Sequence, residues 1–210
     1  MNPRKTKNKL KKLLKRFWFL LWKDDSFKGW VFSIIVIFVF IKFIFFPLLS
    51  LVTGTVLPLA IVESCSMYHQ GNLFSDYDEW FQNHESKYSK FGIEKNEFEK
   101  FIFKKGFNKA DVLFIIGMKS EKLKVGDVII FTAGTNNPII HRIVEIKTQD
   151  GKFVFSTIGD NNDGQLNFEK NISESQVIGK SVFKIMPYVG WIKLIFFEGS
   201  KSPSEKGLCK

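Results

Sequence analysis

PIIHRIVEIKTQDGKFVFSTIGDNNDG, residues 138 to 164, decides the fold class. Two runs rich in Ile, Val and Phe flank Asp150-Gly151, a pair that tolerates the positive φ of a tight hairpin turn, so the stretch is predicted to be two antiparallel strands. Period-two alternation puts His141 on one face with Ile139 and Ile143, and Ile140, Arg142 and Val144 on the other. Where the second run ends, Gly159-Asp160-Asn161-Asn162-Asp163-Gly164 projects carboxylates from a strand end.

Working outward, DVLFIIG, KVGDVIIFTA and QVIGKSVFKI repeat the same pattern of short β-branched and aromatic runs punctuated by Gly or Asp, which predicts a mainly β domain over 51–198. Residues 70–110 differ. Trp80, His84, Tyr88 and Phe91 recur at intervals of four, four and three and predict a short helical insertion, with His84 packing on that face. PYVGWIKLIFFEG, 187 to 199, is too short to cross a membrane as a helix; it reads as an edge strand or, preferably, as an interfacial segment with Trp191 at headgroup level. KSPSEKGLCK completes a tail, 199–210, predicted to be disordered.

The N-terminal quarter belongs to a bilayer. WVFSIIVIFVFIKFIFFPLL, residues 30 to 49, is 20 residues long, enough for about 30 Å of hydrocarbon. Its 16 Leu, Ile, Val and Phe residues contribute roughly −5 to −10 kcal/mol to insertion, against about +3 kcal/mol for Lys42, whose side chain is expected to snorkel. The run exceeds the apolar core of a cleaved signal peptide, so 30–50 reads as a single-pass anchor. Eight of the 31 bases stand in the first 16 residues with no acid among them, which leaves 23 bases against 21 acids elsewhere. The net charge of +10 is therefore mostly a basic tail, 1–29, predicted to be cytoplasmic by the positive-inside rule, and the folded part lacks the basic excess of a nucleic-acid binder.

One more polar cluster follows an apolar run: Glu63-Ser64-Cys65-Ser66-Met67 after Leu57-Pro58-Leu59-Ala60-Ile61-Val62. A serine, a histidine and an acid at the ends of β elements are the components of nucleophilic acyl transfer. The bland readings are a strand end, a packing histidine and a turn, which together would make a membrane-tethered β module that binds a partner. Cys65 and His69 form only one pair of metal-ligating type, and no metal or cofactor is expected; nor do Cys65 and Cys209, at opposite ends of the chain, indicate a redox compartment.

In order along the chain, PLAIVESCSM, VGDVIIF, IIHRIVEI, IGDNN and YVGWIKL resemble the boxes of a type I signal peptidase, of the archaeal and endoplasmic-reticulum branch that pairs Ser with His. The resemblance implies a membrane-bound serine endopeptidase of the plasma membrane, with its catalytic domain on the extracytoplasmic side, removing signal peptides from preproteins. It implies Ser66 as nucleophile, His141 as general base, Asp160 as the acid that orients it, and the Ser64 hydroxyl with the Ser66 N–H as oxyanion donors. The chain departs from the family pattern at Cys65, where glycine is usual, at His69, where proline is common, and at Leu166, where many relatives carry a second aspartate; Asp163 is the alternative acid.

Overall fold

The long apolar run near the N-terminus and the strand-rich remainder lie in separate units. A computed structural model describes residues 3–70, 77–134, 137–201 and 206–209, in two compact units, Met1–Val52 and Thr53–Lys210.

In the first unit, α1 (Pro3–Trp22) precedes α2 (Phe27–Phe40), a π-helical turn (Ile41–Phe45) and α3 (Phe46–Thr53). The basic tail expected over 1–29 is thus largely helical, because Leu10, Leu13, Leu14, Phe17, Trp18 and Leu21 repeat at helical spacing between the lysines. Ser33 Oγ donates to the Leu21 carbonyl at 3.0 Å, and the Phe17 and Phe32 rings meet edge to face at 5.7 Å. Ser26 caps α2 by accepting from Gly29 N at 3.1 Å. The run Phe27–Thr53 is long and apolar enough to cross a membrane, a few residues longer than 30–50 at each end. Pro47 cannot donate to residue 43, and the π turn covers the residues that would close that bond. The Lys42 ammonium lies over the Phe38 and Phe43 rings, 5.9 and 5.5 Å from their centroids.

The second unit is mostly β. Its strands are β1 (Leu59–Ile61), β2 (Val112–Ile116), β3 (Val128–Phe131), β4 (Ile139–Gln149), β5 (Lys152–Ile158), β6 (Ile172–Ser173) and β7 (Val177–Met186). They form one curled antiparallel sheet in the order β1-β2-β7-β3-β4-β5-β6. The β4–β5 hairpin turns at Asp150 and Gly151, both at positive φ, with Gln149 opposite Lys152. The inner face buries Ala60, Val62, Leu113, Ile115, Val128 and Ile130 with Met67 and Phe107.

The helical insertion is present as α4 (Tyr77–Ser89) and α5 (Lys95–Phe98); its residues 71–76 lie outside the described ones. Trp80, Phe81, Tyr88 and Phe98 pack onto Val144 and Ile158 of the hairpin. The His84 ring stacks on Trp80 at 4.4 Å, with Nδ1 2.7 Å from the Trp80 carbonyl. Gly92, at φ 71°, ends the turn after α4.

The outer face of β2 is apolar too. Leu113 and Ile115 are fully buried while Val112, Phe114 and Ile116 alternate with them, half-exposed, and Phe114 stacks on the exposed Phe183 of β7 at 4.8 Å. After β7, α6 (Trp191–Leu194) and the residues following it leave Ile192 75 % and Phe196 81 % exposed. The stretch 187–199 is thus a short helix rather than an edge strand.

The tail expected to be disordered over 199–210 is, where described, tied to the domain: Cys209 is disulfide-bonded to Cys65. Closing 144 residues in this way stabilises the fold by about 5 kcal/mol in a chain-entropy account.

Gly106 and Gly92 both have positive φ, but only at Gly106 would a Cβ meet neighbours, the Met67 carbonyl and the His69 ring. Gly92→Ala is expected to cost about 1 kcal/mol of left-handed strain and Gly106→Ala at least twice that, measured by denaturant unfolding.

Candidate active site

The segment after β1 is shaped by pairing that runs one residue past the strand and then stops. Val62 N donates to the Asp111 carbonyl at 2.9 Å and Val62 O accepts from Ala110 N at 2.7 Å. Beyond it, Tyr68 N reaches back to the Cys65 carbonyl at 3.0 Å, closing a turn that carries Ser66. Met67 is buried; its carbonyl accepts from Phe107 N and its sulfur from Asp160 N. Asn161 N donates to the Ser66 carbonyl at 2.8 Å, joining the serine to the loop after β5.

Ser66 Oγ lies 2.9 Å from His141 Nε2, and His141 Nδ1 lies 2.5 Å from Glu169 Oε1. Glu169 is fully buried, in a 3-10 turn (Asn167–Glu169), and its second oxygen accepts from Leu166 N at 2.6 Å. A carboxylate that accepts from Nδ1–H leaves the Nε2 lone pair facing the serine hydroxyl, the tautomer a general base requires. Ser64 Oγ is 3.1 Å from Ser66 Oγ. These groups open into a cleft of about 760 Å³ whose walls include Ala60, Ile130, Ile140 and Leu166.

The acid against His141 is therefore Glu169, which corrects the expectation for Asp160 and its alternative Asp163. Asp160 is fully buried but serves the other face of β4: Oδ1 accepts from Tyr88 Oη at 2.8 Å and Arg142 Nε at 3.0 Å, and Oδ2 from Arg142 Nη2 at 2.6 Å and His69 Nε2 at 2.9 Å. Burial works against the Asp160 charge, but Arg142 and the hydrogen bond from His69 outweigh it and hold the carboxyl well below its usual range. Burial likewise pushes the Tyr88 phenol well up, so it remains a donor. Lys87, from the same helix, donates to the carbonyls of Asp160 and Asn162, with burial lowering its pKa to about 8.

Arg142 completes its set with the carbonyls of Ile102, Gly126 and Phe103. The cluster thus joins the insertion, β4, the residue three past the serine and the 159–164 loop. Cys65 is not a nucleophile here, since its sulfur is bonded to Cys209. Among the described residues no group of three or more His, Cys, Asp or Glu is placed to hold a metal ion.

Glu169 escaped the sequence reading, although Leu166-x-x-Glu169 has the spacing of a turn closed by its own acid. No protein-family model matches the chain.

The two acids predict different losses. Glu169→Gln is expected to slow labelling of Ser66 by a fluorophosphonate on the order of 10⁴-fold with the fold retained, while Asp160→Asn leaves Arg142 buried without its counter-charge and costs about 3–5 kcal/mol in denaturant unfolding.

Burial holds the His69 imidazole below its ordinary pKa despite the pull of Asp160. A lowered native pKa gives stability that is full above the unfolded value of about 6.5 and lost as pH falls from there through the lower native value. Asp160, also lowered, adds a second loss below about pH 4. Unfolding midpoints measured from pH 8 to 3 are expected to show both steps, and His69→Gln to shrink the upper one, the rest of which belongs to His84, whose pKa burial also lowers.

Proposed function

We propose that this protein is a membrane-anchored serine endopeptidase that removes N-terminal signal peptides from preproteins. The observation that carries the reading is the Ser66–His141–Glu169 line, at 2.9 and 2.5 Å, opening into a cleft beside a sheet edge. Near neutral pH His141 Nε2 takes the Ser66 proton as Oγ attacks the scissile carbonyl, and Glu169 steadies the imidazolium. The Ser66 N–H and the Ser64 hydroxyl receive the oxyanion. His141 then protonates the leaving amine, and water releases the acyl group from Ser66 by the reverse relay.

The shape of the cleft supports a peptide substrate. Among the described residues β1 pairs with β2 alone and is the terminal strand of the sheet, which leaves its other edge for an extended chain to add to. Ala60, Ile130 and Ile140 line the cleft with small and aliphatic surface, suited to the small residues that precede a signal-peptide cut.

Three observations support the proposed location. Phe27–Thr53 is apolar enough to span a bilayer, and the lysines before it favour the cytoplasmic side for the N-terminus. The Cys65–Cys209 bond favours an oxidising compartment for the β domain, outside the cytoplasm. The apolar outer face around Phe114 and Phe183, with Ile192 and Phe196, suits a domain held at a lipid surface such as the plasma membrane.

In liposomes the full chain is expected to process a preprotein and to take a fluorophosphonate at Ser66. Ser66→Ala is expected to abolish both, and His141→Ala to reduce both at least 10³-fold. Undiminished processing by Ser66→Ala would remove the serine from the reaction; a wild-type chain inert in both assays would leave a tethered β module that binds without cleaving.

A further inference from the structure

We propose that the C-terminal segment is a strap that positions Ser66, locked by the Cys65–Cys209 disulfide and released by reduction. The inference rests on the reading of Ser66 as nucleophile.

Sheet pairing ends at Val62, and Ser66 is next fixed by the Asn161 bond to its carbonyl. Between them the C-terminal segment supplies successive ties. Lys193 Nζ meets Glu63 Oε1 at 3.0 Å, Lys201 Nζ donates to the Glu63 carbonyl at 2.7 Å, and Cys209 is bonded to Cys65, the residue directly before the serine.

The segment can bear load because it is itself anchored. Lys109, buried, pairs with Glu198 at 2.6 Å and donates to the Gly207 carbonyl at 3.1 Å, while Glu198 accepts from Gly207 N at 2.7 Å. The Lys109 ammonium also lies over the Trp191 ring. The neighbouring Ala110 both donates to Val62 and accepts from Gly190. One short stretch, 109–110, thus holds the end of β1, the start of α6 and both described parts of the tail.

Cys65 and Cys209 are both only partly buried, within reach of a small reductant. A dithiol attacks the bond, forms a mixed disulfide and leaves as its own cyclic disulfide; two electrons and two protons pass to the protein, which ends with two thiols. What remains on Glu63 is two lysine contacts and a 3.5 Å hydrogen bond from Asn137, at partly exposed groups, which hold a loop far less firmly than a covalent tie.

The test compares oxidised wild type, dithiothreitol-reduced wild type and Cys209→Ser, all as full chains in detergent. Three quantities are measured: fluorophosphonate labelling of Ser66, amide exchange over 63–67, and thermal unfolding. Reduction and Cys209→Ser are expected to lower the limiting rate of labelling at least tenfold, with the half-saturating reagent concentration unchanged. Exchange is expected to rise over 63–67 while unfolding remains a single transition, and reoxidation to restore wild type but not the variant. Equal labelling and equal exchange in the two redox states would overturn the strap, as would a rise over 63–67 no larger than the rise across the sheet that follows from the lost global stability. If Cys209→Ser does not fold, reduction of folded wild type gives the same comparison. If Ser66 is unlabelled in every state the peptidase reading fails, and exchange over 63–67 alone decides the strap: faster on reduction supports it, unchanged overturns it.

Discussion

The site depends on one buried carboxylate. Asp160 receives hydrogen bonds from Tyr88, Arg142 and His69, which stand on the helical insertion, on β4 and just past the serine turn. Tyr88 lies 19 residues beyond His69, and Arg142 54 beyond Tyr88. A buried charge is tolerated only when fully paired, so satisfying Asp160 brings three distant pieces to one place. Lys87 binds the carbonyl of the same residue, and the loop that follows supplies the N–H that holds Ser66. The insertion, which looks peripheral in the sequence, is thereby built into the support of the site.

The alternation of β4 explains the division of labour between the two acids. His141 and Arg142 are consecutive and point to opposite faces of the sheet. An acid that satisfies Arg142 is on the wrong side for the His141 ring, and the imidazole must find its partner elsewhere, in Glu169. The alternation was legible in the sequence, as were the hairpin at Asp150-Gly151 and the strands, because those are local: side-chain period and turn chemistry write them directly. The partner of each acid was not. It depends on how the loop after β5 folds back through a 3-10 turn; the Leu166-x-x-Glu169 spacing marks that turn but not the path that carries the acid to His141. The cysteine pair failed for a related reason, since 144 residues separate two side chains that the fold brings to a Cα distance of 5.6 Å. The helix over Pro3–Trp22 was a simpler miss: its apolar stripe is readable at helical spacing, and the density of lysines obscured it.

The residues that lead from the apolar helix into the sheet are themselves held by the sheet. Five residues, 54–58, separate Thr53 from β1, a reach of about 20 Å when fully extended. They are not extended freely. Thr53 O accepts from Gly117 N, Thr55 Oγ1 donates to the Ile178 carbonyl, and Pro58 O accepts from Ile115 N, so the connector is laid along β2 and β7. If Phe27–Thr53 spans a bilayer, a substrate carried in the same bilayer meets the cleft at an effective concentration set by two dimensions rather than three. On the proposed reading, modest affinity for the peptide then suffices.

Ser66 is held from both directions by different kinds of bond. Downstream, Met67 is buried and His69 is paired with Asp160; upstream, Cys65 is covalently tied. The serine itself remains half-buried, its hydroxyl facing His141 in the cleft. A nucleophile whose neighbours are fixed loses little orientational entropy at the moment of attack, because folding has already taken that loss, and well-oriented groups of this kind lower a barrier by several kcal/mol. The two ties differ in what releases them. The Asp160 side yields to acid, through the buried His69 and the carboxylate, whereas the Cys65 side yields to thiols, so the same hydroxyl depends on the proton activity and the redox state of the compartment in which the β domain resides.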